Sequence, residues 1–233
     1  MKEYKLGKYK GKKINCSETR PSKEKQIEEL YVLSNLSDTV FKQPLGFHLR
    51  VRLSNNTSMA LFSALLKKHF SKQGYLPLRY TVKEKDKTGF HYHIAIVIEG
   101  KKNKKTIISN LLAKLKRAGK LNDYDLISPT AFPFGHPLQR QEDKDAFFEW
   151  VSYLAKTRTK IDGIQSSSPS KELATLIKKW KREGKPDLSE ADESGTYNIS
   201  AFFRGDCDVG LAGKQVNYIK TKQLSAAKQE HSP

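Results

Sequence analysis

Residues 75–100, YLPLRYTVKEKDKTGFHYHIAIVIEG, hold two runs rich in β-branched and aromatic residues on either side of DKTG. An Asp-first, Gly-fourth tetrapeptide suits a type I turn, so the stretch predicts a β-hairpin. With 86–89 as the turn, Lys85 faces Phe90 and Glu84 sits directly opposite His91, their Cβ atoms about 5 Å apart. Side chains alternate along a strand, which sets Glu84, His91 and His93 on one face. The other face pairs Tyr92, Ile94 and Ile96 with Lys83, Thr81 and Arg79, so neither face is uniformly apolar and helices are expected over parts of both. Two imidazoles spaced i, i+2, with a carboxylate opposite, can chelate one divalent ion and leave positions open for phosphate oxygens. The plainer alternative is a pair of exposed or hydrogen-bonded histidines, and Glu84 is the residue that weighs against it.

Working outward, KEKQIEELYVLSNL (23–36) repeats apolar residues at Ile27, Leu30, Leu33 and Leu36 and predicts an amphipathic helix. LGFHLRVRLSNN (45–56) alternates Phe47, Leu49, Val51 and Leu53 against His48, Arg50 and Arg52, the pattern of a strand. NTSMALFSALLKKHFSKQG (56–74) reads as a helix starting at a polar Asn or Thr and stopping near Gly74. TIISNLLAKLKRAG (106–119) supplies a further helix, and DKDAFFEWVSYLAKTRTK (143–160) another, with Phe147, Val151 and Leu154 as its apolar stripe. GIQSSSPSK (163–171) reads as a Ser-rich linker, followed only by short apolar segments such as LATLIKKW and GTYNISAFFRG. The class expected is α+β, a central and largely antiparallel sheet flanked by helices.

The 233 residues fit one domain with extensions. Lys and Arg outnumber Asp and Glu by 43 to 25, a net charge of +18 that points to a polyanionic partner, nucleic acid first and anionic lipid second. Residues 1–24, Lys-rich and poor in aliphatics, read as a flexible basic arm. Cys16 and Cys207 are too far apart for a zinc spacing and too few for a disulfide framework, which suits a reducing cytoplasm. No apolar run of membrane-span length and no phosphate-binding Gly-x4-Gly-Lys-Ser/Thr loop is present, so neither a membrane role nor an ATPase is expected.

Near residue 150, Tyr153 and Lys156 are spaced as neighbours on one helix face. A phenol with an ordinary pKa of about 10 attacks a phosphodiester at neutral pH only with a polarised phosphate and a nearby cation. Lys156 could supply that charge while Glu84, His91 and His93 hold the metal. Taken alone, the pair reads better as a half-buried aromatic beside a solvated lysine.

Taken together, HYH on a strand and YLAK about sixty residues later resemble the HUH endonuclease superfamily, the enzymes that initiate rolling-circle replication. The strings RYTVKEKDKTGFHYHIAIVIEG and FFEWVSYLAKTRTK are most similar to the replication proteins of filamentous phages and to YagK/YfjJ-type prophage proteins. The resemblance spans about residues 45–165 and implies a nuclease domain over 25–165, with 166–233 an extension of unknown role. It implies a five-stranded HUH or RRM-like palm. The implied reaction is nicking of one DNA strand at a single-stranded or hairpin origin, with Tyr153 joined to the 5′ end and a free 3′-OH left. A separate host helicase and polymerase would be needed. His91 and His93 carry over as metal ligands, for Mg²⁺ or Mn²⁺. Glu84 is the third ligand by register, with His48 or Asp86 as substitutes, and His136 is expected in a loop. Lys156 carries over as a helper of Tyr153. A basic DNA-binding regulator without cleavage, and a nickase for transposition or mobilisation, remain open alternatives.

Overall fold

The computed structural model describes residues 3–19, 21–100, 104–127, 132, 134–157 and 167–186, all within the first of two compact units, Met1–Ser189. The chain opens with four two-residue strands, β1 (Glu3–Tyr4), β2 (Lys8–Tyr9), β3 (Lys12–Lys13) and β4 (Ser22–Lys23). It continues through α1 (Glu24–Asn35), β5 (Pro44–Leu53), α2 (Met59–Ser71), β6 (Leu78–Asp86), β7 (Gly89–Glu99), α3 (Lys104–Arg117) and β8 (Leu121–Ile127). The last elements are β9 (His136–Pro137), α4 (Gln141–Ser152), β10 (Ser167–Pro169) and α5 (Lys171–Arg182). The main sheet runs β10-β6-β7-β5-β8 with β9 beside β5, and every pairing is antiparallel. The α+β class stands, with five strands on the main path and β9 as a short sixth.

The β6–β7 hairpin has the register that its turn residues dictate, with Glu84 opposite His91, Lys85 opposite Phe90 and Asp86 opposite Gly89. The Asp86 carboxylate accepts from the Thr88 N–H at 2.8 Å and from its hydroxyl at 2.6 Å. Gly89 takes φ of +109°, a value that disfavours any side chain. On β5, Arg52 reaches the same turn, donating to the Thr88 carbonyl at 2.8 Å and to Asp86 at 3.0 Å.

The two faces of the sheet divide the core. One is covered by α1, which contacts β6, α4 and α5, and by α4, whose Phe147 ring lies where a side chain on Gly46 would stand. The expected stripe Phe147, Val151 and Leu154 is buried there with Phe148. The helix predicted as amphipathic, α1, is buried on nearly every side, because the sheet, α4 and α5 surround it. On the second face Phe47, Leu49, Val51, Ile94 and Ile96 are buried, and α3 packs on β8. The buried residues of α2 (Phe62, Leu66, Phe70) and of α3 (Ile108, Leu111, Leu112, Leu115) belong to this second half. Ser58, rather than Asn56 or Thr57, caps α2, its hydroxyl accepting from the Leu61 N–H at 3.1 Å.

Three parts differ from the sequence expectation. Residues 3–19 are not a loose arm: Tyr9 and Ile14 are buried, with the Tyr9 ring 6.4 Å from Phe148 and 5.5 Å from Tyr31. Two of the lysines there are paired, Lys12 with Asp145 and Lys13 with Glu149, each at 2.8 Å. The Ser-rich linker contributes β10 to the sheet edge, where Ser167 faces Val82. Beyond it, Leu173, Ile177 and Trp180 form the buried stripe of α5, so the folded unit extends past residue 165. GTYNISAFFRG lies outside the described residues. No helix among the described residues is long and apolar enough to cross a membrane.

Gly46 is a tight packing point beneath α4. A Cβ there would fall 2.5 Å from the Phe147 ring. Gly46→Ala is expected to destabilise the protein by about 1–3 kcal/mol in denaturant unfolding, and Phe147→Leu in the same chain should recover part of that loss.

Candidate metal centre and its tyrosine

Glu84, His91 and His93 are buried together on the face under α4. Their ligand atoms all lie within 4.8 Å of one another. Glu84 Oε2 is 3.6 Å from His93 Nε2 and 3.9 Å from His91 Nε2. A buried carboxylate between two imidazoles carries a solvation penalty that a bound cation offsets, and the N, N, O donor set suits a divalent ion with exchangeable positions. The group can therefore hold a metal ion. Of the other candidates for third ligand, Asp86 stands behind His91, its Oδ2 3.4 Å from Nδ1, the nitrogen remote from Glu84. Thr88, and after it Arg52, hold the Asp86 carboxyl far below the ordinary carboxylate range. Asp86 thus lies on the far side of His91 without hydrogen-bonding to it, since His91 Nδ1 is buried with no hydrogen-bond partner.

His48 is almost wholly buried and belongs to a second, adjoining cluster. Strand alternation on β5 puts it on the histidine face, where its Nε2 is 2.9 Å from His93 Nδ1. The Tyr153 hydroxyl completes a triangle, 3.1 Å from His48 Nε2 and 3.0 Å from His93 Nδ1. One proton assignment satisfies the triangle and leaves His93 Nε2 unprotonated on the side facing Glu84: His93 Nδ1–H donates to Tyr153 Oη, and Oη–H donates to His48 Nε2. The His48 proton then sits on Nδ1, which is buried without a hydrogen-bond partner. Burial pushes His48 down to about 3, helped by the neighbouring His93. Burial, then the Glu84 charge, raises the Tyr153 phenol well above its usual value, while Arg50 opposes them. Tyr153 and His48 are therefore both neutral at rest.

Tyr153 does not lie on the helix proper. The α-helix ends at Ser152 and the chain tightens into a 3-10 turn over Tyr153–Ala155. Lys156 leaves that turn in extended conformation and bridges to Ser22. Its ammonium lies over the Tyr153 ring, 5.2 Å from the centroid, a cation–π contact that steadies the ring. The cation that acts electrostatically on the phenol is Arg50, directly opposite His93 in the sheet and paired with Asp125 at 2.6 Å. Trp150, one turn before Tyr153, packs edge-on against His48 with centroids 5.6 Å apart. His136 is on β9, 6.4 Å from Trp150 and stacked on it, and takes no place in the metal cluster. Arg50 and Trp150 were missed by sequence reasoning. The signal for Arg50 was the polar side of β5, which also carries His48; nothing local marked Trp150.

No family model, curated protein or solved structure matches this chain.

Two outcomes follow from the geometry. His91→Ala with His93→Ala should abolish stoichiometric Mn²⁺ binding in calorimetry, and Glu84→Gln should weaken it by a smaller factor. His48 has a folded pKa below its unfolded one, so its contribution to stability is complete above about 6.5 and is lost as pH falls toward about 3. The full loss is on the order of 5 kcal/mol. Urea titrations in chelator should show His48→Gln with a flatter stability profile between those limits.

Proposed function

We propose that the chain is a metal-dependent endonuclease and nucleotidyl transferase that nicks single-stranded DNA through Tyr153, acting as an initiator of rolling-circle replication. The observation that supports it is the meeting of a tyrosine hydroxyl, 3.0 Å from His93, with the imidazole whose other nitrogen faces Glu84. The resemblance of HYH and YLAK to HUH endonucleases assigns the same residues to metal and nucleophile. The basic composition suits the polyanionic substrate.

In this reading Glu84, His91 and His93 hold Mg²⁺ or Mn²⁺. The cation would offset the Glu84 charge that raises the phenol and draw electron density from a phosphate oxygen. The chain does the rest. His93 Nδ1 and His48 Nε2 fix the direction of the Tyr153 hydroxyl, and Lys156 steadies the ring. Oη attacks phosphorus, the P–O3′ bond breaks, and the 3′ oxygen leaves as a hydroxyl by taking a proton from water, a balance restored when His48 returns the phenol proton to solvent. The phenol proton passes to His48 Nε2. With the phenol pushed up and the imidazole pushed down, that transfer occurs only as the Oη–P bond forms. Reversal by the 3′-OH rejoins the strand. The sequence has no Gly-x4-Gly-Lys-Ser/Thr loop, and in this reading a separate helicase would unwind the duplex while a polymerase extends the freed 3′-OH.

Tyr153→Phe tests the proposal, because it removes one oxygen and keeps the ring. Incubation with Mn²⁺ and single-stranded DNA should give a denaturation-resistant protein–DNA adduct in the wild type and none in the variant, while both bind Mn²⁺ alike. Mass spectrometry should place the nucleotide on the peptide containing WVSYLAK. An adduct that persists in the variant would overturn the assignment, and DNA binding without any adduct would leave a non-catalytic DNA-binding protein.

A further inference from the structure

The reverse face of the sheet, behind the metal cluster, carries aromatic rings and lysines that the proposed reaction does not use. Alternation sends Phe90 and Tyr92 to that side, between and beside the histidines that point the other way. In register, Lys85 faces Phe90, and one cross-strand row runs Lys83, Tyr92, Val51, Tyr124. Phe90 is 42% exposed, one of four large apolar side chains so exposed among the described residues. Tyr92 and Tyr124 are half-buried. The Lys83 ammonium lies 4.1 Å from the Phe90 ring centroid, Lys85 5.7 Å from the same ring, and Lys116 5.8 Å from the Tyr124 ring. Three aromatics, two on β7 and one on β8 with β5 between them, therefore lie beside three ammonium groups on this face.

An apolar protein partner would leave those lysines buried without counter-charges, and a duplex hides the π-faces of its bases. Unpaired bases stack on exposed rings while lysines between them meet the phosphates, and a chain of net charge +18 already favours such a partner. The geometry points to a second nucleic-acid contact: the Phe90–Tyr92–Tyr124 platform binds single-stranded DNA through base stacking, with Lys83, Lys85 and Lys116 on its phosphates. This deepens the function proposed above, on which the choice of DNA rests. The two faces meet at the Lys87–Thr88 turn, so the platform would hold DNA flanking the segment that reaches Tyr153.

Fluorescence anisotropy with a short labelled oligodeoxythymidine tests it at several salt concentrations. Phe90→Ala should lower affinity about fivefold or more, and Phe90→Trp should retain it. Lys83→Ala with Lys85→Ala should reduce the steepness of log affinity against log salt by about 1.4. Mn²⁺ affinity, set on the other face, serves as the folding control. Unchanged affinity and slope in these variants would overturn the platform, as would an equal loss for a duplex of the same length. The two proposals fail separately: a wild type that binds the oligonucleotide but forms no adduct overturns the reaction and leaves the platform standing.

Discussion

The pairing of Asp86 with Gly89 fixes everything that follows on this sheet. A strand alternates with period two, so a slip of one residue in β6 against β7 would oppose Glu84 to Tyr92 and carry the carboxylate away from the histidine face. Three interactions oppose such a slip. The Asp86 carboxylate holds both polar groups of Thr88, Gly89 adopts a conformation few other residues tolerate, and Arg52 ties the turn to β5. Arg52 and His48 share one face of β5, so the strand that ties down the hairpin also carries the imidazole that meets Tyr153.

A face bearing Glu84 and three histidines costs solvation free energy when covered, and the fold limits that cost by bringing polar partners in with the cover. Gly46 lets Phe147 approach the sheet, which lowers the end of α4 until the chain tightens at Tyr153. The N-terminal segment then brackets that turn. The Asn15 N–H donates to Ser152 Oγ at 2.7 Å, and beyond the turn the Thr157 N–H donates to the Pro21 carbonyl at 3.0 Å. Ser22 pairs with Lys156 between them in space. Residues that look like a DNA-binding arm in the sequence thus serve first to hold the tyrosine turn, and two of their lysines have acidic partners along α4.

The metal cluster was legible because every fact needed for it is local: a turn, a period of two, and one carboxylate seven residues before a histidine. The order of the main helices and β5 was legible for the same reason. Tyr153 and Lys156 were found by motif, but helical spacing misplaced them, since the helix stops at Ser152 and the lysine lies over the ring. What stayed hidden depends on distant partners. In LNDYDLI, Asp125 is tolerated in a strand because Arg50 meets it across β5. The stretch SSP becomes an edge strand only because β6 offers unpaired backbone. The α5 stripe of Leu173, Ile177 and Trp180 had helical spacing, yet the Ser-rich run before it masked the capping role of Ser170, whose hydroxyl accepts from the Leu173 N–H at 3.3 Å.

The neutral tyrosine–histidine pair decides how such a site would be controlled. Moving a proton from a free phenol to a free imidazole already costs about 5 kcal/mol, from ordinary pKa values of about 10 and 6.5. Burial widens that gap from both sides here, and the Glu84 charge widens it further. Arg50 works against the gap, but its guanidinium is shared with Asp125. The resting hydroxyl is therefore well aimed and chemically quiet. Under the proposed reaction two additions would narrow the gap, a cation beside Glu84 and a phosphorus atom that takes the Oη lone pair as the proton leaves. Reactivity would then depend on the joint presence of metal and strand rather than on ambient pH. That arrangement suits a nucleophile that must stay inert until DNA is in place.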